Sequence, residues 1–145
     1  MKNIRVLLPY LIFPIFTLIF TNCGNFSSEQ LALWDKVMEV HDESMINHGT
    51  MMSLGQQVRK FKDNEALPPA LKYVVKPTMD QIEKADEDMM QWMNDLKGKF
   101  KVRGMESEAI TKYWKEELAK IEEIDKQIIA STKAATEFLA QAKKY

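Results

Sequence analysis

The stretch SSEQLALWDKVMEVHDESMINHGTMMSLGQQVRKFK, residues 27–62, decides the fold. Ser27-Ser28-Glu29-Gln30 is a capping-box pattern, with a hydroxyl at the N-cap and a glutamine three residues on, so a helix should start there. From that point Leu31, Trp34, Met38, Met45 and Met52, with His41 and His48 between them, recur in alternating steps of three and four. That is the period of one face of a helix and not of a strand. Gly55 and Arg59 do not suit a buried seam, so the stripe drifts through Met51, Leu54, Val58 and Phe61. Asp63-Asn64 should end the helix near Lys62. About 35 residues of helix reach roughly 50 Å.

Downstream, Pro68-Pro69 suits the first turn of a second helix over 68–97. Pro77 removes an amide inside it and predicts a break or kink near Lys76, with Thr78-Met79-Asp80-Gln81 able to cap a restart. Val75, Met79, Ile82, Met89, Met93 and Leu96 mark its inner face, with Asp86 on the same line. Lys97-Gly98 reads as a stop, and KFKVRG, residues 99–104, as a basic loop. A third helix is expected over 106–143, with acids at its start and lysines at its end to suit the helix dipole. Its stripe is Ile110, Trp114, Leu118, Ile121, Ile124 or Asp125, Ile128, Thr132, Ala135 and Leu139. No β-type alternation of useful length occurs. The expected fold is all-α, an elongated antiparallel three-helix bundle.

Upstream, the chain opens MKNIRVLLPYLIFPIFTLIFTNC. Lys2 and Arg5 precede an apolar run from Val6 to Phe20, fifteen residues long, and Cys23 follows closely. This is the order of a secretory signal: a basic region, a short apolar region, then a processing site. The run is shorter than the roughly 20 residues that span a bilayer, and Pro9 and Pro14 interrupt it. Phe20-Thr21-Asn22-Cys23-Gly24 resembles a bacterial lipobox, although the commonest form has Leu in place of Phe20 and Gly or Ala in place of Asn22. The reading is a lipoprotein signal peptide over 1–22, a lipidated Cys23 with a short tether over 23–27, and a helical domain over 28–145. The protein is then held in the bacterial cell envelope by lipid, at the outer membrane facing the periplasm. Without Lys2 and Arg5, the basic residues fall from 20 to 18 against 21 acids, a net charge of −3. That balance gives no clustered basic face for nucleic acid. A lone cysteine rules out an internal disulfide, so the core must hold itself.

The first helix carries the one unusual chemical pattern, Met38-x-x-His41-x-x-x-Met45-x-x-His48-x-x-x-Met52. Thioether and imidazole suit copper, and a haem with His and Met axial ligands is a related arrangement. Asp42, Glu43 and Asp86 are oxygen donors that zinc would accept beside the histidines. Seven residues set the histidines about 10 Å apart along the axis, too far to share one ion. Seam methionines are ordinary core fillers, and the core reading outweighs the metal or haem one. No Gly-rich phosphate loop, HExxH or Cys–His pair is present, so no enzyme is expected. In the second helix, acids interleave with Met89, Met90, Trp92 and Met93. An exposed Met90 or Trp92 would form a partner surface, whereas a packed Trp92 would be core.

Two segments, Val37-Met38-Glu39-Val40-His41-Asp42-Glu43-Ser44-Met45 and Ala85-Asp86-Glu87-Asp88-Met89-Met90-Gln91-Trp92-Met93, resemble small helical lipoproteins of bacteroidetes and spirochaetes. Those proteins are often labelled automatically as "viral A-type inclusion protein". The likeness covers most of the first two helices and is weaker in the third, and Pro77 departs from it. It implies a membrane-anchored helical domain with no catalytic residues to carry over. It also implies that the HDE and MMxWM segments face each other or a common ligand. The functional expectation is a helical binding module for another envelope component. The alternative is a small metal- or haem-binding bundle using His41 and His48 with Met45 and Met52.

Overall fold

The computed structural model describes residues 26–145. The signal segment over 1–22 and Cys23 lie outside the described residues. Four helices follow in order: α1 (Ser28–Arg59), α2 (Pro69–Asp95), α3 (Lys99–Val102) and α4 (Ser107–Ala142). Among the described residues there is no strand.

The capping box forms as the sequence predicts. Gln30 N–H donates to Ser27 Oγ at 3.2 Å, and Ser27 N–H donates to Gln30 Oε1 at 2.9 Å. The amide of Gln30 then reaches across to α4, where its Nε2 lies 2.8 Å from the carbonyl of Ser107 and 3.2 Å from Thr111 Oγ1. Two expectations are corrected. α2 runs through Pro77 with no break, and Thr78 is a buried residue of its inner face rather than the cap of a restart. Pro77 lies on the exposed side of α2, and Tyr73, whose carbonyl loses its donor, is 84% exposed. On so exposed a face, solvent can satisfy a carbonyl left without its donor, which is how a helix tolerates an internal proline. The segment expected as a basic loop holds instead the single helical turn α3.

Cross-helix contacts give the topology. His48 meets Asp86 and His41 meets Trp92, so α1 and α2 are antiparallel. Ser131 meets Gln81 and Tyr113 meets Lys97, so α2 and α4 are also antiparallel. Gln30 meets Thr111, Ser44 meets Asp125 and Phe61 meets Phe138, so the first and last long helices run parallel. That parallel pairing of α1 with α4 is the most extensive of the three.

The buried positions follow strict heptads. α2 buries Leu71, Val75, Thr78, Ile82, Ala85, Met89 and Trp92, and α4 buries Ile110, Trp114, Glu117, Ile121, Ile124, Ile128, Ser131, Ala135 and Phe138. α1 buries Gln30, Val37, Ser44, Met51 and Val58, every seventh residue. The stripes expected from sequence therefore lie to one side of the true buried line. Met38, His41, Met45 and His48 flank it, while Leu31 is exposed; Thr78, Ala85 and Trp92 replace Met79, Asp86 and Met93, and Glu117 and Ser131 replace Leu118 and Thr132. The physical reason is that each helix packs against two neighbours. Its most buried line bisects them, and that line is fixed by the two contacts together rather than by the hydrophobicity of any one residue.

A second cluster closes the end where α1 and α4 begin. Trp114 is fully buried there, with the Phe26 ring at 5.2 Å and the Trp34 ring at 5.6 Å. Val102 of α3 and Ile110 complete it. Truncating a tryptophan packed like this costs about 3–5 kcal/mol.

Candidate functional site

The residues that the sequence singles out converge on the seam between α1 and α2. On α1, Trp34, His41, His48 and Gly55 are spaced by sevens, with Met38, Met45 and Met52 beside them. On α2 the facing flank holds Met79, Asp86 and Met93, all partly buried. At Gly55 the helices come close: a Cβ there would sit 3.2 Å from Ile82 Cγ2. A larger residue would push the helices apart and open the seam.

The two histidines are engaged differently. His48 Nε2 lies 2.7 Å from Asp86 Oδ1, a bond between helices with the imidazole only 13% exposed. His41 Nδ1 lies 2.9 Å from Asp42 Oδ1 on its own helix, and its ring leans on Trp92, centroids 5.6 Å apart and planes tilted by 31°. The HDE segment of α1 and the MMQWM segment of α2 thus face each other. Met45 and Met52 pack against the core. Below His48 a small cleft of about 110 Å³ is bordered by Met52, Gly55, Met79, Ile82 and Asp86. Among the described residues, no three His, Cys, Asp or Glu side chains gather where a metal ion could be held. A cation that needed His48 Nε2 would have to displace the carboxylate of Asp86.

The structure divides Met90 from Trp92. Met90 is 54% exposed, whereas Trp92 is buried at 5%. The α1–α2 register that joins His48 to Asp86 and His41 to Trp92 sets Met90 level with Glu43 and Ser44 of α1, one turn along α2 from Asp86. The other side of Trp92 borders an open groove of about 540 Å³ between α2 and α4, with Ile124 and Glu117 opposite. Trp92 Nε1 is buried without a hydrogen-bond partner.

Sequence reasoning missed two polar ties. Ser44 Oγ donates to Asp125 Oδ1 at 2.8 Å. Glu117, buried at 4%, takes a hydrogen bond from Lys120 Nζ at 2.7 Å, which raises the Lys120 pKa. A signal for Glu117 existed: counting strict fours and threes from Ile110 and Trp114 reaches 117 and not 118. For Ser44 the only signal was its place seven residues from Val37 and from Met51.

Cys23, the expected lipid acceptor, lies outside the described residues. Among the described residues no helix is long and apolar enough to cross a membrane. No protein-family model matches the chain, and no curated protein or solved structure matches it significantly.

Proposed function

We propose that this protein is a lipid-anchored module of the bacterial envelope, facing the periplasm, that binds another envelope component along the α1/α2 seam. The observation that carries the binding part is Met90, a large apolar side chain 54% exposed at the edge of a seam lined by half-buried methionines. Methionine surfaces adapt to a partner because the thioether chain is flexible and polarizable. The anchoring part is supported by the order of Lys2 and Arg5, the apolar run and Cys23. In this reading His41 and His48 position the seam: one rests on Trp92 and the other joins Asp86 across the helices.

The anchor and the surface are tested separately in intact cells. Metabolic labelling with an alkyne fatty acid should mark the full chain, and Cys23→Ala should abolish the label and release the protein from membranes. A label that survives Cys23→Ala sinks the anchor. A photo-crosslinking residue at position 90 should give one discrete adduct, absent when the same residue replaces Ile129, which is similarly exposed on α4. Equal patterns at the two positions would remove the seam from the proposal.

A further inference from the structure

α3 is a single turn, yet the structure holds it firmly and turns one aromatic away from the protein. Val102 is fully buried in the cluster around Trp114. Lys99 Nζ lies 5.7 Å over the Trp34 ring and 3.8 Å from Asp35 Oδ1. Just before the turn, Lys97 N–H donates to the Tyr113 hydroxyl at 2.7 Å. Two residues apart on a helix means opposite sides, so burying Val102 sends Phe100 outward. Phe100 is 87% exposed, the most exposed large apolar side chain among the described residues. The Arg103 guanidinium carbon lies 5.5 Å from its ring centre. Among the described residues, Lys101 and Arg103 make no ion pair. The acids on this end include Asp35, already paired with Lys99, Glu29, paired with Lys115, Asp95 at the end of α2, and Glu106 and Glu108 at the start of α4.

The position of this turn matters as much as its composition. Phe26 packs on Trp114 in the same cluster that holds Val102, so α3 lies at the end where the chain enters the bundle. Three residue steps separate Phe26 from Cys23, which is at most about 11 Å of extended chain. An aromatic beside cations is the composition of a surface that lies in a bilayer interface. We propose that α3 is the membrane contact of the bundle: Phe100 enters the interface of a bilayer containing anionic lipid, and Lys101 and Arg103 meet its phosphates. This rests on the lipid-anchored reading above. One aromatic and two cations do not hold a protein on a membrane alone. With the lipid on Cys23, the short tether keeps α3 at high effective concentration beside the surface, and a weak contact is enough to orient the bundle.

The test uses the full chain recovered from membranes and placed in vesicles of phosphatidylglycerol and phosphatidylcholine brominated on their acyl chains. Phe100→Trp adds a reporter on α3. Tyr73→Trp adds one at the far end, where Tyr73 is 84% exposed. After subtraction of the native tryptophan signal, the Phe100→Trp emission should be quenched at least threefold more strongly than that of Tyr73→Trp. Lys101→Glu/Arg103→Glu should remove most of that difference while leaving the melting curve in place. If the protein floats with the vesicles but the two reporters quench alike, α3 is not the contact and the anchor stands. If the protein does not float, the anchor reading fails and the proposal falls with it. Equal quenching in pure phosphatidylcholine would overturn the role given to anionic lipid.

Discussion

Ser44 stands at the centre of α1, fully buried, between Val37 and Met51 on the heptad line. Its hydroxyl is tolerated because Asp125 of α4 receives it at 2.8 Å, and hydrogen bonds to a charged acceptor are worth more than neutral ones. Ser44→Ala should cost about 1–2 kcal/mol in urea unfolding. A double-mutant cycle with Asp125→Ala should return a coupling of about 1 kcal/mol. A coupling near zero would mean that the pair is incidental. This is also the scale at which the sequence misleads most. A serine reads as a surface residue and His41 as a seam residue, yet the serine is buried and the histidine flanks it. The stripe offered Ile124 or Asp125, and the structure uses both: Ile124 fills the core and Asp125 serves Ser44. The sequence offers Met90 or Trp92 as a partner surface and favours a packed Trp92; the two part company, since they lie about 200° apart on one helix.

At the level of elements, the number of long helices, their order and their ends were legible, because capping residues, prolines and a sustained 3–4 period are local signals. The rotation of each helix was not, because it depends on where two neighbours sit. A stripe one position to the side has nearly the same periodicity, so only contacts between helices choose between them. Pro77 shows the same limit: whether a proline breaks a helix depends on whether water can reach the carbonyl four residues back. Two glycines of α1 separate helix propensity from helix contact. Gly49 has open space around it, so Gly49→Ala should stabilise by about 0.5–1 kcal/mol. At Gly55 a Cβ meets Ile82 at 3.2 Å, so Gly55→Ala should gain less, and Gly55→Leu should cost about 1–3 kcal/mol. Thermal melts of the three variants check this. Equal gains at Gly49→Ala and Gly55→Ala would show that α1 and α2 are not in close contact there.

The whole molecule is a bundle with two unlike ends, and the end that carries α3 is tied by Tyr113. Burial raises the Tyr113 phenol above its ordinary pKa, opposed in part by the hydrogen bond from the Lys97 amide. A group whose pKa is raised on folding contributes stability below its unfolded value, near pH 10, and loses it as pH climbs through the folded value. Unfolding free energy should therefore fall above pH 10, and Lys120, raised by Glu117, acts in the same direction. Tyr113→Phe should make that fall shallower in urea titrations between pH 9 and 11, and an unchanged slope would assign the fall to lysines alone. The parallel pairing of the first and last long helices carries a different consequence. The residues that pair the α1 and α4 arms of the bundle lie 77 to 86 positions apart in the chain. At a synthesis rate of roughly 5–20 residues per second, the main partner of α1 trails it by several seconds. Until α4 follows, α1 has only α2 to pack against, and the larger of its two interfaces stays bare. A product that ends before α4 therefore leaves that larger interface exposed, the kind of surface through which incomplete chains aggregate.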